Sequence, residues 1–144
     1  MIRRAKRTDL SKINSLLNSY GLQTIDPSYI NHRDVCLVAE LDGQVVGFVW
    51  AGLMRQNKAA YLDYFTVSKE HSKQGIGKAL ATATLKHFAR IGVERAFGVI
   101  EQDEFHDRSA VNALKMGMYA QERPYTYVYG FVNHSARELG LGSN

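Results

Sequence analysis

The chain has 144 residues, enough for one domain around a single core. Apolar side chains make up 45% and charged ones 22%, an ordinary globular balance without low-complexity stretches or repeats. The net charge of +4 suits an anionic cofactor, an acidic partner or a nucleic acid, and chooses none of them. Aromatic residues are sparse outside the C-terminal third, which argues against a base-stacking platform. The longest uncharged apolar run, around 45–54, is too short to span a bilayer. Met1-Ile2-Arg3-Arg4 lacks the apolar segment of a signal peptide. Cys36 is the single cysteine, so no internal disulfide can form, and a reducing cytoplasm is the expected compartment.

Residues 2–5 read as a short strand. Thr8 or Asp9 caps an amphipathic helix whose buried face is Leu10, Ile13, Leu16 and Leu17, and Gly21 ends it. Asp26-Pro27 opens a second short turn or helix. Val35–Leu41 is strand-like, Asp42-Gly43 is a hairpin turn signal, and 45–53 is the returning strand. Ala59–Val67 forms the third strand of this meander, with Tyr61, Asp63, Phe65 and Val67 on one face. The spacing predicts a helix over 75–91. Its polar stripe is Lys78, Thr82, Lys86 and Arg90, and its wide apolar face suits packing on a sheet. Gly92 ends it, and 95–100 is the next strand, so strand–helix–strand implies a parallel pair. A further helix over 106–116 stops at Gly117, and 118–121 and 125–132 close as a strand pair. The expected domain is 1–132, with 133–144 a frayed tail.

The most informative stretch is Lys73-Gln74-Gly75-Ile76-Gly77-Lys78, between the third meander strand and the long helix. A glycine-bearing turn at a helix N-terminus offers free N–H groups and the positive end of the helix dipole, and lysines add full charge. This is hardware for a phosphorylated ligand. It is not a Walker A loop, because Gly77-Lys78 is followed by Ala79 and no glycine stands five residues before Gly77. Nor is it a dinucleotide fingerprint, because Leu80 occupies the third glycine position and the preceding meander is antiparallel.

The element order, the run Tyr61-Leu-Asp-Tyr-Phe-Thr-Val67 leading into Ser72-Lys-Gln-Gly-Ile-Gly77, and the helix ending Lys115-Met116-Gly117-Met118 resemble the GNAT N-acetyltransferase superfamily. The family loop reads Gln/Arg, two residues, Gly, one residue, Gly/Ala. Gly75 and Gly77 match it, while Ser72 stands at the first position beside Lys73. The resemblance implies a mixed α/β GNAT-like acyl-CoA N-acyltransferase fold. Its central sheet is mostly antiparallel with one parallel splayed pair, and helices cover both faces. It also implies that acetyl-CoA is the cosubstrate, with no metal. The loop amides of Ser72, Lys73, Gln74, Gly75, Ile76, Gly77 and Lys78 would meet its pyrophosphate, assisted by the charges of Lys69, Lys73 and Lys78. The strand end at Phe65, Thr66 and Val67 would pair with the pantetheine arm.

Acetyl transfer to an amine needs a positioned thioester, a deprotonated nucleophile and a proton for the departing thiolate. Where the family often has a tyrosine acid on the last helix this chain has Ala113, and His106 replaces an asparagine at that helix's start. Glu101 falls where some members place a proton-accepting glutamate, and Asp63 is a second candidate base. The hairpin tyrosines Tyr119, Tyr125, Tyr127 and Tyr129 offer a substitute acid, for which Tyr125 is taken as the candidate. Substrate-side segments in this fold are 20–33 and the C-terminal hairpin; near the first lie Tyr29, His32, Arg33 and Asp34. The expected reaction is direct transfer to a primary amine: a protein N-terminus, a lysine or a small amine.

Two rival readings accompany it. Ala113 and His106 favour a non-catalytic acyl-CoA-binding or protein-interaction module on the same scaffold. Charge alone suggests a nucleic-acid binder. The scattered histidines His32, His71, His87, His106 and His134 show no metal-ligand spacing. Membrane association is not expected, and the aromatic hairpin offers a surface for a homodimer.

Overall fold

The computed structural model describes residues 1–54, 56, 58–72, 74–101, 119–122, 125–131, 135 and 137–139. In chain order the elements are β1 (Ile2–Arg4), α1 (Leu10–Ser19), β2 (Val35–Leu41), β3 (Gln44–Met54), β4 (Ala59–Val67), α2 (Ile76–Ile91), β5 (Arg95–Glu101), β6 (Tyr119–Glu122) and β7 (Tyr125–Phe131). Short 3-10 turns lie at Arg7–Asp9, Pro27–Tyr29 and Lys69–His71. Among the described residues the strands follow the order β1-β2-β3-β4-β5-β7-β6 in a mixed sheet. The predicted helix over 106–116 lies outside the described residues.

Contacts divide the chain into two compact units, Met1–Gly52 with Tyr64–Thr84, and Leu53–Asp63 with Leu85–Asn144. In the first unit β1, β2 and β3 pair antiparallel, and Asp42 and Gly43 turn the β2–β3 hairpin at φ +51° and +76°. The pleat sorts the side chains onto two faces. Cys36, Val38 and Phe48 cluster with Ile13, Leu16 and Leu17 of α1. On the opposite face, Gly47 lies beneath Ile76 and Leu80 of α2. Helices thus cover both faces, as the element order predicts. Phe48 and Leu17 are fully buried, a contribution of about 1.5–3 kcal/mol each.

The β2–β3 register slips between Ala39 and Glu40: Ala39 pairs with Gly47 and Glu40 with Val45, so Val46 is the extra residue of a bulge. Its carbonyl accepts the Ser68 N–H at 2.8 Å, just past β4.

Both helices end alike. Leu22 N–H bonds to Leu17 C=O and Gly21 N–H to Asn18 C=O; Val93 bonds to Phe88 and Gly92 to Ala89 in the same pattern. These are the paired bonds of a Schellman ending, at the two glycines read as stops.

The N-terminus of α1 corrects one expectation. Asp9 makes no capping bond to α1. Its buried carboxylate instead takes two bonds from Arg3, at 2.8 and 2.9 Å, and one from the Lys6 N–H at 2.7 Å. Arg3 also reaches Glu40 at 3.0 Å. A fixed guanidinium fork satisfies a buried carboxylate better than a helix cap does. The Arg3 bonds hold the Asp9 carboxyl below its ordinary range and the Arg3 guanidinium above its own.

In the second unit β4 and β5 run parallel, from Ala59↔Arg95 to Leu62↔Gly98, and β5–β7 and β7–β6 are antiparallel. Tyr61 and Phe97 stack at 5.3 Å across the parallel pair. Beyond this four-pair ladder β4 continues to Val67 and β5 to Glu101. Ala59, Ala60, Phe88, Val93 and Ala96 are buried here. In the region read as a frayed tail, the Leu139 N–H bonds to the Ser135 carbonyl at 3.1 Å and Ser135 is buried.

Candidate active site

The cofactor-side candidates fall in one contiguous stretch of the first unit. β4 ends at Val67, the 3-10 turn Lys69–His71 follows, and α2 begins at Ile76. Thr66 is buried, so its side chain belongs to the core and only its backbone is available. Phe65 is 39% exposed, unusual for a phenylalanine on a strand. His71 N–H bonds to Ser68 C=O at 3.0 Å, and the Ser72 hydroxyl donates to Lys69 C=O at 3.0 Å, which closes the turn. Lys73 lies outside the described residues.

The first intrahelical bond of α2 runs from Ala79 N–H to Gly75 C=O at 3.0 Å. The N–H groups of Ile76, Gly77 and Lys78 precede it and have no partner within the helix. Gly75 adopts φ +82°, and a Cβ there would meet nothing within 4 Å. Its glycine is needed for conformation rather than for room. At Gly77 a Cβ would meet only Val67 Cγ2, at 3.8 Å, so α2's first turn abuts the end of β4. Gln74, Gly75 and Lys78 are exposed. The result is an exposed set of amides at the positive end of a helix, which favours an anion.

Lys69 has a different place from the one its sequence position suggested. Its ammonium donates to the Ser19 carbonyl at 3.2 Å and lies 4.7 Å from the Tyr20 ring centroid, at the C-terminal end of α1. Tyr20 was not singled out by sequence. Its hydroxyl donates to the Val67 carbonyl, 47 residues away, at 2.5 Å. No local pattern signals a contact of that span.

Segment 20–33 is pinned at three points. Asn14 exchanges two bonds with Ile25 (3.0 and 2.9 Å), the Tyr64 hydroxyl donates to Gln23 C=O (2.9 Å), and Trp50 Nε1 donates to Tyr29 C=O (2.9 Å). The Tyr29 ring sits 4.9 Å from Trp50 and 6.4 Å from Tyr64. Asp26 accepts from the Ser28 N–H at 2.8 Å, opening the Pro27–Tyr29 turn as expected. Trp50 is half-buried and anchors this segment through its ring nitrogen. Cys36 is core, and burial pushes its thiol pKa up to about 12.

The three catalytic candidates belong to the second unit. Asp63 follows the last parallel pair, Leu62↔Gly98; it is exposed, and desolvation raises its carboxyl pKa from the ordinary value. Glu101 and Tyr125 are direct cross-strand partners, the final pair of the β5–β7 ladder. That pairing was not legible without the register. Strand alternation assigns positions 61 and 63 of β4, and 97 of β5, to one face. His106, Ala113 and Gly117 lie outside the described residues. Among the described residues no group of three His, Cys, Asp or Glu side chains could hold a metal ion. Within the same residues no helix is long and apolar enough to cross a membrane.

The chain thus combines a mixed sheet containing one parallel pair among the described strands with a glycine turn that opens α2. The model of the Acetyltransferase (GNAT) family matches residues 7–118, and the chain belongs to that family. Among solved structures, it superposes on the ribosomal-protein-S18-alanine N-acetyltransferase from Escherichia coli with TM-score 0.79 at 14% identity, over 92% of this chain and 93% of that one. PaiA N-acetyltransferase from Thermoplasma acidophilum, in complex with coenzyme A, gives 0.76 at 15% identity, over 91% and 98%. Diaminobutyrate acetyltransferase EctA from Paenibacillus lautus, in complex with its substrate and coenzyme A, gives 0.72 at 21% identity, over 92% and 95%. At these identities the likeness is one of fold. No curated protein matches the chain in sequence.

Proposed function

We propose that the protein is an N-acetyltransferase that moves the acetyl group of acetyl-CoA directly to a primary amine. The observation that carries this reading is the α2 N-terminus, where Gly75 at φ +82° and the amides of Ile76, Gly77 and Lys78 form an open cradle beside the end of β4. Family membership and the coenzyme A bound to two structural neighbours support it.

In this reading the amides from Ser72 to Lys78, with the charges of Lys73 and Lys78, hold the pyrophosphate. The backbone of Phe65, Thr66 and Val67 aligns the pantetheine arm. The acceptor enters beside the pinned segment 20–33. Its nitrogen attacks the thioester carbonyl carbon, the carbon–sulfur bond breaks, and the thiolate takes up a proton. Glu101 or Asp63 accepts the amine proton, which an ordinary ammonium near pKa ~10.4 does not release at neutral pH unaided. Tyr125, opposite Glu101 in the ladder, is the proton donor to sulfur. A lone, buried cysteine favours a reducing compartment such as the cytoplasm.

The test is calorimetric titration with acetyl-CoA, coenzyme A and ADP, followed by an acceptor screen over peptide N-termini, lysine peptides and small diamines. Binding followed by turnover that Glu101→Gln, Asp63→Asn or Tyr125→Phe reduces tenfold or more supports the enzyme. Ala113, at the family's usual acid position, favours a second reading, a non-catalytic acyl-CoA binder. Tight binding without transfer to any acceptor selects it. No binding by folded protein refutes both.

A further inference from the structure

We propose that Tyr20 is a positioning residue that latches the acyl-CoA-binding edge of β4 to the phosphate cradle. This rests on the function proposed above. The geometry begins at Ser68, whose N–H donates to Val46 of β3 at 2.8 Å. Backbone polar groups of successive extended residues face opposite edges of a strand. Those of Val67 therefore face away from β3, and those of Phe65 share that edge. This is the edge with which the pantetheine arm would pair.

Tyr20 takes hold of that edge. Its hydroxyl donates to the Val67 carbonyl at 2.5 Å. A carbonyl oxygen has two lone pairs, so one remains for a ligand. The phenol itself is fixed. Its residue closes α1 through the Tyr20 N–H to Leu17 C=O bond of 3.1 Å, and Lys69 caps the ring from 4.7 Å while bonding Ser19 C=O. Partial burial raises the Tyr20 pKa, which keeps the hydroxyl protonated as a donor. Val67 in turn touches the first turn of α2, since a Cβ on Gly77 would lie 3.8 Å from Val67 Cγ2. One hydroxyl thus sets the strand edge in register with the amides of Ile76, Gly77 and Lys78.

The two halves of the ligand read this latch differently. ADP needs only the cradle, whereas acetyl-CoA needs cradle and strand edge in register. Tyr20→Phe deletes the hydroxyl and keeps the ring beneath Lys69. Wild type and variant are titrated calorimetrically with acetyl-CoA and with ADP, alongside thermal melts. The expected result is a Kd for acetyl-CoA raised about threefold to tenfold, the scale of one lost hydrogen bond, with the ADP Kd within about twofold. Equal weakening of both ligands, as general loosening would give, overturns the proposal. So does unchanged or tighter acetyl-CoA binding. Should Tyr20→Phe not fold, Lys69→Gln releases the ring from its other side. It is expected to weaken acetyl-CoA more than ADP, and an equal shift again overturns the latch. Wild type that binds neither ligand refutes the proposed function itself. Wild type that binds both, with an unaltered variant, refutes only the role of Tyr20.

Discussion

Gly47 is the point where packing and the candidate site meet, and Gly47→Ala separates them. A Cβ at this position would lie 2.7 Å from Leu80 Cδ1, 3.2 Å from Ala39 Cβ and 3.3 Å from Ile76 Cγ2. Carbon atoms pack at ~3.5–4.0 Å, so the nearest contact must open by roughly 1 Å. Leu80 is fully buried, so turning its Cδ1 aside displaces the neighbours packed around it. Ala39 cannot yield, because its Cβ is fixed to the paired strand. The remaining adjustment lifts the start of α2 from the sheet. Overpacking of this kind costs about 1–3 kcal/mol. For a chain of this size that is a fall in Tm of roughly 3–10 °C. Ile76 and Leu80 lie in the first turns of α2, so the cradle moves with them and acetyl-CoA affinity falls as well. Urea unfolding reads the first effect and calorimetry the second. A variant as stable as wild type, with an unchanged denaturant slope, would refute the packing argument.

The other glycines of the site divide by mechanism. Gly75→Ala enters left-handed backbone in open space, so strain alone lowers stability by about 1–2 kcal/mol. Gly77→Ala meets only an ordinary contact and is expected to keep or gain stability in thermal melts, as alanine does inside helices. For Asp9 the folded pKa lies below its ordinary 3.8, so its ion pair stabilises the fold above about pH 4 and is lost as pH falls through the lowered value. Asp9→Asn is therefore expected to cost about 2 kcal/mol at pH 7 and to flatten the stability profile below pH 4, measured by chemical denaturation. Cys36, with its pKa pushed up to about 12, is expected to resist thiol reagents at pH 8 until urea unfolds the chain. Rapid labelling of native protein would contradict its burial.

What was legible in the sequence lay close together along it. Asp42-Gly43, Gly21 and Gly92 announce turns and helix ends because the chemistry that ends an element sits within a few residues of it. The glycine turn into α2 was legible for the same reason, since Gly75 and Gly77 stand at the start of that helix. Features made by distant partners were not. Thr8-Asp9-Leu10 reads locally as a cap, and only the fold brings Arg3, itself held by Glu40, onto the Asp9 carboxylate. The Tyr20 hydroxyl crosses 47 residues to Val67, and the bulge at Val46 exists only against β2. Glu101 and Tyr125 were each chosen alone; the ladder register makes them neighbours.

This contrast bears on how the family motif tolerates change. In the proposed reading the cofactor is held mainly by backbone: N–H groups at a helix end and the polar edge of a strand. Such groups persist whatever side chain they carry, provided φ and packing are kept. Ser72 at the motif's first position is therefore a mild departure, because its hydroxyl and its N–H both bond to the Lys69 carbonyl and close the turn that leads into α2. In the same reading catalysis is carried by side chains, and Ala113 stands where the family resemblance would place an acid. Its loss must be met by another acid, for which the strand partner of Glu101 is the candidate, or else the molecule keeps a binding site without chemistry. The same family membership is compatible with either state, since the fold preserves the backbone cradle in both. Tyr125→Phe and Glu101→Gln thus decide more about this protein than any further likeness of fold.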